Sequence, residues 1–218
     1  MKSFAIIGLS SFGTYLARTL AAEGHQVMVI DRNEDRIERI KQHVDRAIIA
    51  DACDKDTLSG LGLSEMDVVV VSLGDPIDAS ILVTLYLREM RVKKIVAKAI
   101  TEDHGRILDI IGATQVVFPE KDEATRLAQT LESDYLLDTI SIGEDISIVE
   151  MAPPRDFLGK SLGELDLRNK YGALVLVVKE LVPEKLVVIP TKDHMIKDSD
   201  ILMLMGSNED LKKIKKLK

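Results

Sequence analysis

Phe4 to Gly8 (FAIIG) is a short apolar run that ends in glycine, and Gly8-Leu9-Ser10-Ser11-Phe12-Gly13 follows at once. A run this brief and this apolar reads as a strand buried on both faces. Tyr15 to Glu23 then has helical periodicity, and a second apolar run, Gln26 to Ile30 (QVMVI), ends in Asp31. Parallel strands need a crossover, and the intervening helix supplies one.

Strand, glycine turn, helix, strand and acid is the order of a Rossmann βαβ unit, and the Gly8 to Asp31 distance suits an acid that meets a ribose. The turn brings backbone N–H groups and the positive end of a helix dipole toward a phosphate. The middle glycine of the fingerprint is Ser10, whose Cβ crowds a pyrophosphate while its hydroxyl offers a donor. The plainer reading is a glycine turn that only lets helix pack on strand, with Asp31 as a helix N-cap.

The pattern repeats. Asn33 caps a charged helix through Arg39, and Arg46 to Ala50 is a third strand. Asp54 opens a helix that stops near Gly60 to Gly62, and Met66 to Leu73 (MDVVVVSL) is a β-branched buried strand. Gly74-Asp75-Pro76 turns the chain, with Pro76 suited to the first turn of the next helix. That helix, Ile77 to Met90, is apolar on nearly every side, so it is buried or meets a second subunit. Lys94 to Lys98, a helix over Glu102 to Ile111, and Thr114 to Phe118 complete six βα units. They predict a doubly wound parallel sheet of order 3-2-1-4-5-6, with ligands at the strands' carboxyl ends. Those ends carry Gly8 to Gly13, Asp31 and Arg32, Asp51 to Cys53, Ser72 to Gly74, Lys98, and Pro119 and Glu120.

Ala124, Leu127, Ala128 and Leu131 then mark an amphipathic helix that continues to Leu137, either an arm toward a partner or a helix packed on its own sheet. From about Ser141 the pattern changes. Ile146 to Met151 alternates like a half-buried strand, Leu162 to Leu165 reads as a short helix, and Ala173 to Lys179 and Lys185 to Ile189 are strands joined through a Pro183 loop. Ile201 to Met205 is a last strand before a terminal helix capped by Asn208. This predicts a second, small α+β domain over 141–218, after a first domain over 1–137.

Composition narrows the function. Among 218 residues, 29 are Lys or Arg and 36 are Asp or Glu, a net charge of -7 that argues against generic nucleic-acid binding. No apolar run approaches the roughly 18 to 20 residues of a membrane span. The chain begins directly with a strand, so no signal peptide is expected. A single cysteine, Cys53, leaves no internal disulfide and suits a reducing cytoplasm. His25, His43, His104 and His194 are scattered in polar contexts, with no spacing that suggests zinc. An NAD-dependent oxidoreductase is the competing class, but no Ser…Tyr-x-x-x-Lys set or dehydrogenase His/Asp pair is present.

Nearly the whole chain resembles the regulatory subunits of Trk/Ktr-type potassium uptake systems, which join an RCK (TrkA) N-terminal to a C-terminal domain. The matching pieces are GLSSFG, VID, IIADACD, VVVVSLGDPIDAS, KIVAKA, IGATQVVFPEKDEA, GKSLGELDLRNKYGALVLVVK and DSDILMLMGS. The single N-plus-C arrangement is more like Ktr than the tandem Trk subunits. The resemblance implies a non-enzymatic cytoplasmic subunit, a homodimer assembling into an octameric ring beneath a membrane potassium-translocating subunit. Its helices after strands four and five form ring contacts, with a crossover helix about 120–137. It implies a site for ATP, ADP, AMP or NAD(H) lined by Gly8, Ser10, Ser11, Phe12, Gly13, Asp31, Arg32, Asp51, Ala52, Cys53, Leu73, Gly74, Lys98 and Glu120. Glu120 would help hold Mg2+ or Ca2+ across the dimer, and Arg168, Ala173 and Pro190 would line a cyclic di-AMP groove. Ser11 replaces the arginine that meets terminal phosphates in Ktr relatives and cannot supply its forked contact. The plain alternatives are a surface ion pair of Arg168 with Glu164, a packed Cys53, a structural Lys98 and a helix-capping Glu120.

Overall fold

The computed structural model describes residues 1–217 apart from 76, 132–134 and 144, and leaves out the side chain of residue 129. Pro76, expected in a helix's first turn, thus lies outside the described residues. The chain divides into two units, Met1–Glu120 and Lys121–Lys218.

In the first unit, β1 (Ser3–Ile7) is followed by α1 (Ser11–Ala22), β2 (Gln26–Asp31), α2 (Glu34–Ile40), β3 (Arg46–Ile49) and α3 (Lys55–Ser59). Then come β4 (Val68–Val71), α4 (Ile77–Glu89), β5 (Ile95–Lys98), α5 (Glu102–Ile111) and β6 (Gln115–Val117). The strands form one sheet in the expected order β3-β2-β1-β4-β5-β6, and every pairing is parallel. Side chains alternate between faces, so neighbouring residues of one strand serve two cores. Ile6, Val29 and Val70 pack with Ala17 of α1 and with Ile37 and Ile40 of α2. Ile7, Ile30 and Val71 face the other way, toward Leu58, Val83, Leu87 and Leu108. That double burial explains why the strands read as unbroken apolar runs, and each buried Ile or Val contributes about 1.5–3 kcal/mol.

Helix α1 begins at Ser11, one turn earlier than its apolar periodicity suggested, because Ser10 caps it. Helix α4 is only partly covered within the chain: Val83 and Leu87 are buried, whereas Ile77 and Leu85 are exposed. On α5, Ile107 and Ile110 are likewise exposed.

Helix α6 (Pro119–Leu131) leads into the second unit, where β7 (Leu136–Ser141), β8 (Ile146–Met151), β9 (Leu174–Leu181), β10 (Glu184–Val188) and β11 (Asp200–Ser207) form an antiparallel sheet of order β10-β9-β11-β8-β7. The expected helix through Leu137 is corrected here. It ends at Leu131 among the described residues, and Leu136 starts an edge strand paired with β8. Antiparallel pairing with β8, the next strand in the chain, decides that segment, which an apolar pair of leucines cannot reveal. Two short helices, α7 (Leu162–Leu165) and α8 (Leu167–Tyr171), meet at Asp166, which has a left-handed φ of 45°. Helix α9 (Asn208–Lys215) is capped by Ser207, one residue before the expected cap. The helices supply Leu165, Leu167, Leu211 and Ile214 to one face of the sheet. The opposite face carries the cross-strand rows Ile140, Ile148, Met205, Leu174 and Met203, Val177, Val188. Ile140, Leu174 and Val188 on it are exposed.

Candidate functional site

Gly8 ends β1 with a φ of 94°, a backbone state that favours glycine, and its N–H donates to the Ile30 carbonyl. A Cβ there would meet the Ser72 carbonyl at 2.7 Å. Gly13, in the first turn of α1, is buried under Gly8 and Ser72, and a Cβ on it would lie 2.9 Å from Ser72 Oγ. The first glycine therefore makes the turn and the last lets the helix press on the sheet.

Ser10, at the position of the missing middle glycine, is the N-cap of α1. Its Oγ accepts from the Gly13 N–H at 3.3 Å and lies 2.6 Å from Ser72 Oγ, a fully buried hydroxyl at the end of β4. The Ser11 and Phe12 N–H groups belong to the first turn, which has no intrahelical acceptors, and point the positive helix end outward. Ser11 itself is exposed, and the half-buried Phe12 packs toward the core on the α1 side of the sheet.

Asp31 ends β2 and is 7% exposed. One carboxylate oxygen accepts the Leu9 N–H at 2.6 Å, and the other accepts the Asn33 N–H at 2.8 Å. Arg36, one turn into α2, stands 3.5 Å from the oxygen that Leu9 uses. Asn33, not Asp31, is the N-cap of α2. Asp31 thus fastens the glycine turn to the second strand, and it lines a cavity.

That cavity, of ≈ 270 Å³, opens at the carboxyl ends of β1 to β4. Of the residues expected at a nucleotide site, its lining includes Gly8, Ser10, Asp31, Arg32, Asp51, Ala52, Cys53, Leu73 and Gly74. It also includes Ile30, Arg36, Ala50, Asp75, Asp78 and Ala79, which the sequence reading did not assign to the site, and Ser72, which that reading placed at the ligand-bearing end of the fourth strand. Arg36 and Asp78 sit in the first turns of the helices after β2 and β4, so following each strand end one turn further would have found them. Burial raises the Cys53 thiol pKa, and the Asp51 carboxylate raises it further, so the thiol form dominates at neutral pH.

Lys98 and Glu120 are not among the lining residues. Lys98 is 6% exposed and its ammonium pairs with the Glu120 carboxylate at the start of α6. Burial alone would raise the Glu120 carboxyl, but the Lys98 ammonium outweighs it and holds the group below its ordinary range. Among the described residues no group of three His, Cys, Asp or Glu could hold a metal ion.

In the second unit, Arg168 is exposed on α8, Ala173 is buried just before β9 and Pro190 is half-buried after β10. Glu164 is the reciprocal partner of Ser161 in a capping box, in place of the surface pair with Arg168. His104, expected in a polar context, is 2% exposed between α4 and α5.

Comparison with known proteins agrees with this architecture. Residues 4–119 match the TrkA-N domain and residues 146–218 the TrkA-C domain. The chain is 37% identical over 215 residues to Ktr system potassium uptake protein C of Bacillus subtilis, covering 99% of this chain and 96% of that protein. It is 34% identical over 212 residues to Ktr system potassium uptake protein A of the same organism, covering 97% and 95%. The crystal structure of the GsuK RCK domain superimposes with a TM-score of 0.69 at 22% identity. That match covers 99% of this chain and 47% of that one, so this chain spans about half its length.

Proposed function

Because the chain belongs to the family of Ktr potassium uptake proteins, built from a TrkA-N and a TrkA-C domain, we propose that it is a nucleotide-sensing regulatory subunit of a membrane potassium transporter and catalyses no reaction. The observation that carries the nucleotide reading is the Asp31 clamp on the glycine turn. It sets the N-terminus of α1, a cavity and an acid with remaining acceptor capacity at the switch point of a doubly wound sheet. The ligand is an adenine nucleotide or NAD(H). The lining holds four aspartates, Asp31, Asp51, Asp75 and Asp78, against two arginines, Arg32 and Arg36. With Ser11 in place of an arginine, the terminal phosphates of ATP meet no side-chain cation there, which favours AMP, ADP or NAD(H). Ser11, Phe12 and Gly13 contribute through the backbone of the turn. Lys98 and Glu120 form an ion pair outside the cavity lining, and Mg2+ or Ca2+ at Glu120 would need donors from a second chain.

The chain works at the inner face of the cell membrane as a homodimer that assembles into an octameric ring. No helix among the described residues is long and apolar enough to cross a membrane, and in this proposal the pore is the translocating partner subunit's. Exposed Ile77, Leu85, Ile107 and Ile110 on α4 and α5, and the uncovered face of the second sheet, supply apolar surface for such contacts. A nucleotide that binds one ring conformation better than another shifts the ring's population by its differential affinity. Cyclic di-AMP is the second ligand, at Arg168, Ala173 and Pro190. The domains that divide this work are 1–137 and 141–218.

The test is potassium flux through a Ktr-type translocating subunit in liposomes, with and without this protein and with each nucleotide. Flux that depends on the protein and changes with nucleotide is expected. Flux indifferent to both contradicts the proposal.

A further inference from the structure

A buried polar chain joins the cavity wall to α5, and the function proposed above does not use it. Ala79, in the first turn of α4, lines the cavity, and the next residue, Ser80, is fully buried. Ser80 Oγ donates to the Ile77 carbonyl at 2.8 Å. His104 Nε2 lies 2.8 Å from the same oxygen, and Nδ1 accepts from the Ile100 N–H at 3.3 Å. Thr101, the N-cap of α5, fixes the His104 backbone through its hydroxyl.

These contacts assign the tautomer. The Ser80 proton is committed to Ile77, so its oxygen accepts from Nε2–H, and Nδ1, facing an N–H, carries a lone pair. The imidazole is neutral. A proton added at Nδ1 would set two donors against each other, with no acceptor in place of the lost bond. Phe118 lies against Gly105, so close that even a Cβ on that glycine would meet the ring.

We propose that neutral His104 is a positioning residue for the nucleotide cavity: through Ser80 it ties the first turn of α4, with Asp78 and Ala79, to α5, and its protonation releases that wall and weakens nucleotide binding. The inference rests on the nucleotide reading of the cavity. Burial independently lowers the His104 pKa and is its one cause. The charged groups on the surrounding elements do not perturb it: Asp78 on α4, Glu102, Asp103 and Arg106 on α5 are exposed, and Lys98 on β5 pairs with Glu120. With the folded value below the unfolded one, the tie is intact above about pH 6.5 and is lost as pH falls through the folded value. Since α5 also carries exposed Ile107 and Ile110, the same tie links the cavity to an apolar face.

The experiment is calorimetric titration of the full chain with NAD+, whose diphosphate has no proton to gain between about pH 5.5 and 7.5, where histidine titrates. Where AMP is the better ligand, the ratio of variant to wild type at each pH cancels the ligand's own protonation. Wild type should bind more weakly at the lower pH, by less than about ten-fold, because a folded value below about 6.5 leaves part of the histidine neutral at about pH 5.5. His104→Gln keeps a donor for Ser80 and cannot titrate, so it should match wild type at the higher pH and show no further loss at the lower. Ser80→Ala, which removes the link without touching the histidine, should bind weakly at both. A His104→Gln profile that follows wild type overturns the inference while leaving the nucleotide site standing, as does wild-type affinity in Ser80→Ala. No nucleotide binding at either pH overturns the site and this inference together.

Discussion

The Asp31 carboxylate accepts the Leu9 N–H through one oxygen and the Asn33 N–H through the other. An acid at the end of the second strand was legible from the sequence as a ribose acceptor. Its grip on the turn was not, because spacing along a chain does not say which backbone donor a carboxylate will meet 22 residues away. The consequence is that Asp31→Ala should impair binding and stability together. Leaving the buried Leu9 N–H unpaired costs about 1–3 kcal/mol, read as a lower urea midpoint with unchanged slope. Lost binding at full stability would contradict the clamp. Ser72 was legible as the end of the fourth strand, but only the fold brings its hydroxyl to Ser10.

At the scale of elements, the parallel strands and the order of the first sheet were readable because the central strands β1, β2 and β4 are buried along most of their length and crossovers between parallel strands are right-handed as a rule. The helix starts were harder. Ser10 departs from the glycine fingerprint, yet as N-cap of α1 it satisfies the Gly13 N–H. Ser10→Ala should therefore lower stability by about 0.5–2 kcal/mol, whereas Ser10→Gly, which restores the fingerprint, should cost only a few tenths. Thermal midpoints of the two variants decide this, and equal losses would mean that the hydroxyl does not cap the helix. The segment from Leu136 was misread as helix because it pairs with β8, the next strand, and the apolar spacing that runs on from α6 does not show that pairing. The tie between His104 and Ser80 was equally hidden, since it joins two helices 24 residues apart.

At the scale of the whole molecule, apolar side chains on α4, α5 and one face of the second sheet remain exposed within a single chain. In a protein of net charge -7, such faces mark contact with further copies or partners. In the proposed function the N-domain cavity would supply the signal and those faces the means of transmitting it, which is why ligand binding stands at the centre of the account. The direct measurement is a thermal-shift titration of the purified full chain with AMP, ADP, ATP, NAD+ and NADH, with and without Mg2+. A ligand at about 100-fold its dissociation constant stabilises the folded state by about 2.7 kcal/mol. The account predicts that shift for AMP, ADP or NAD(H), with free ATP weaker, and its disappearance in Asp31→Ala. An unchanged melting temperature with every nucleotide would contradict it.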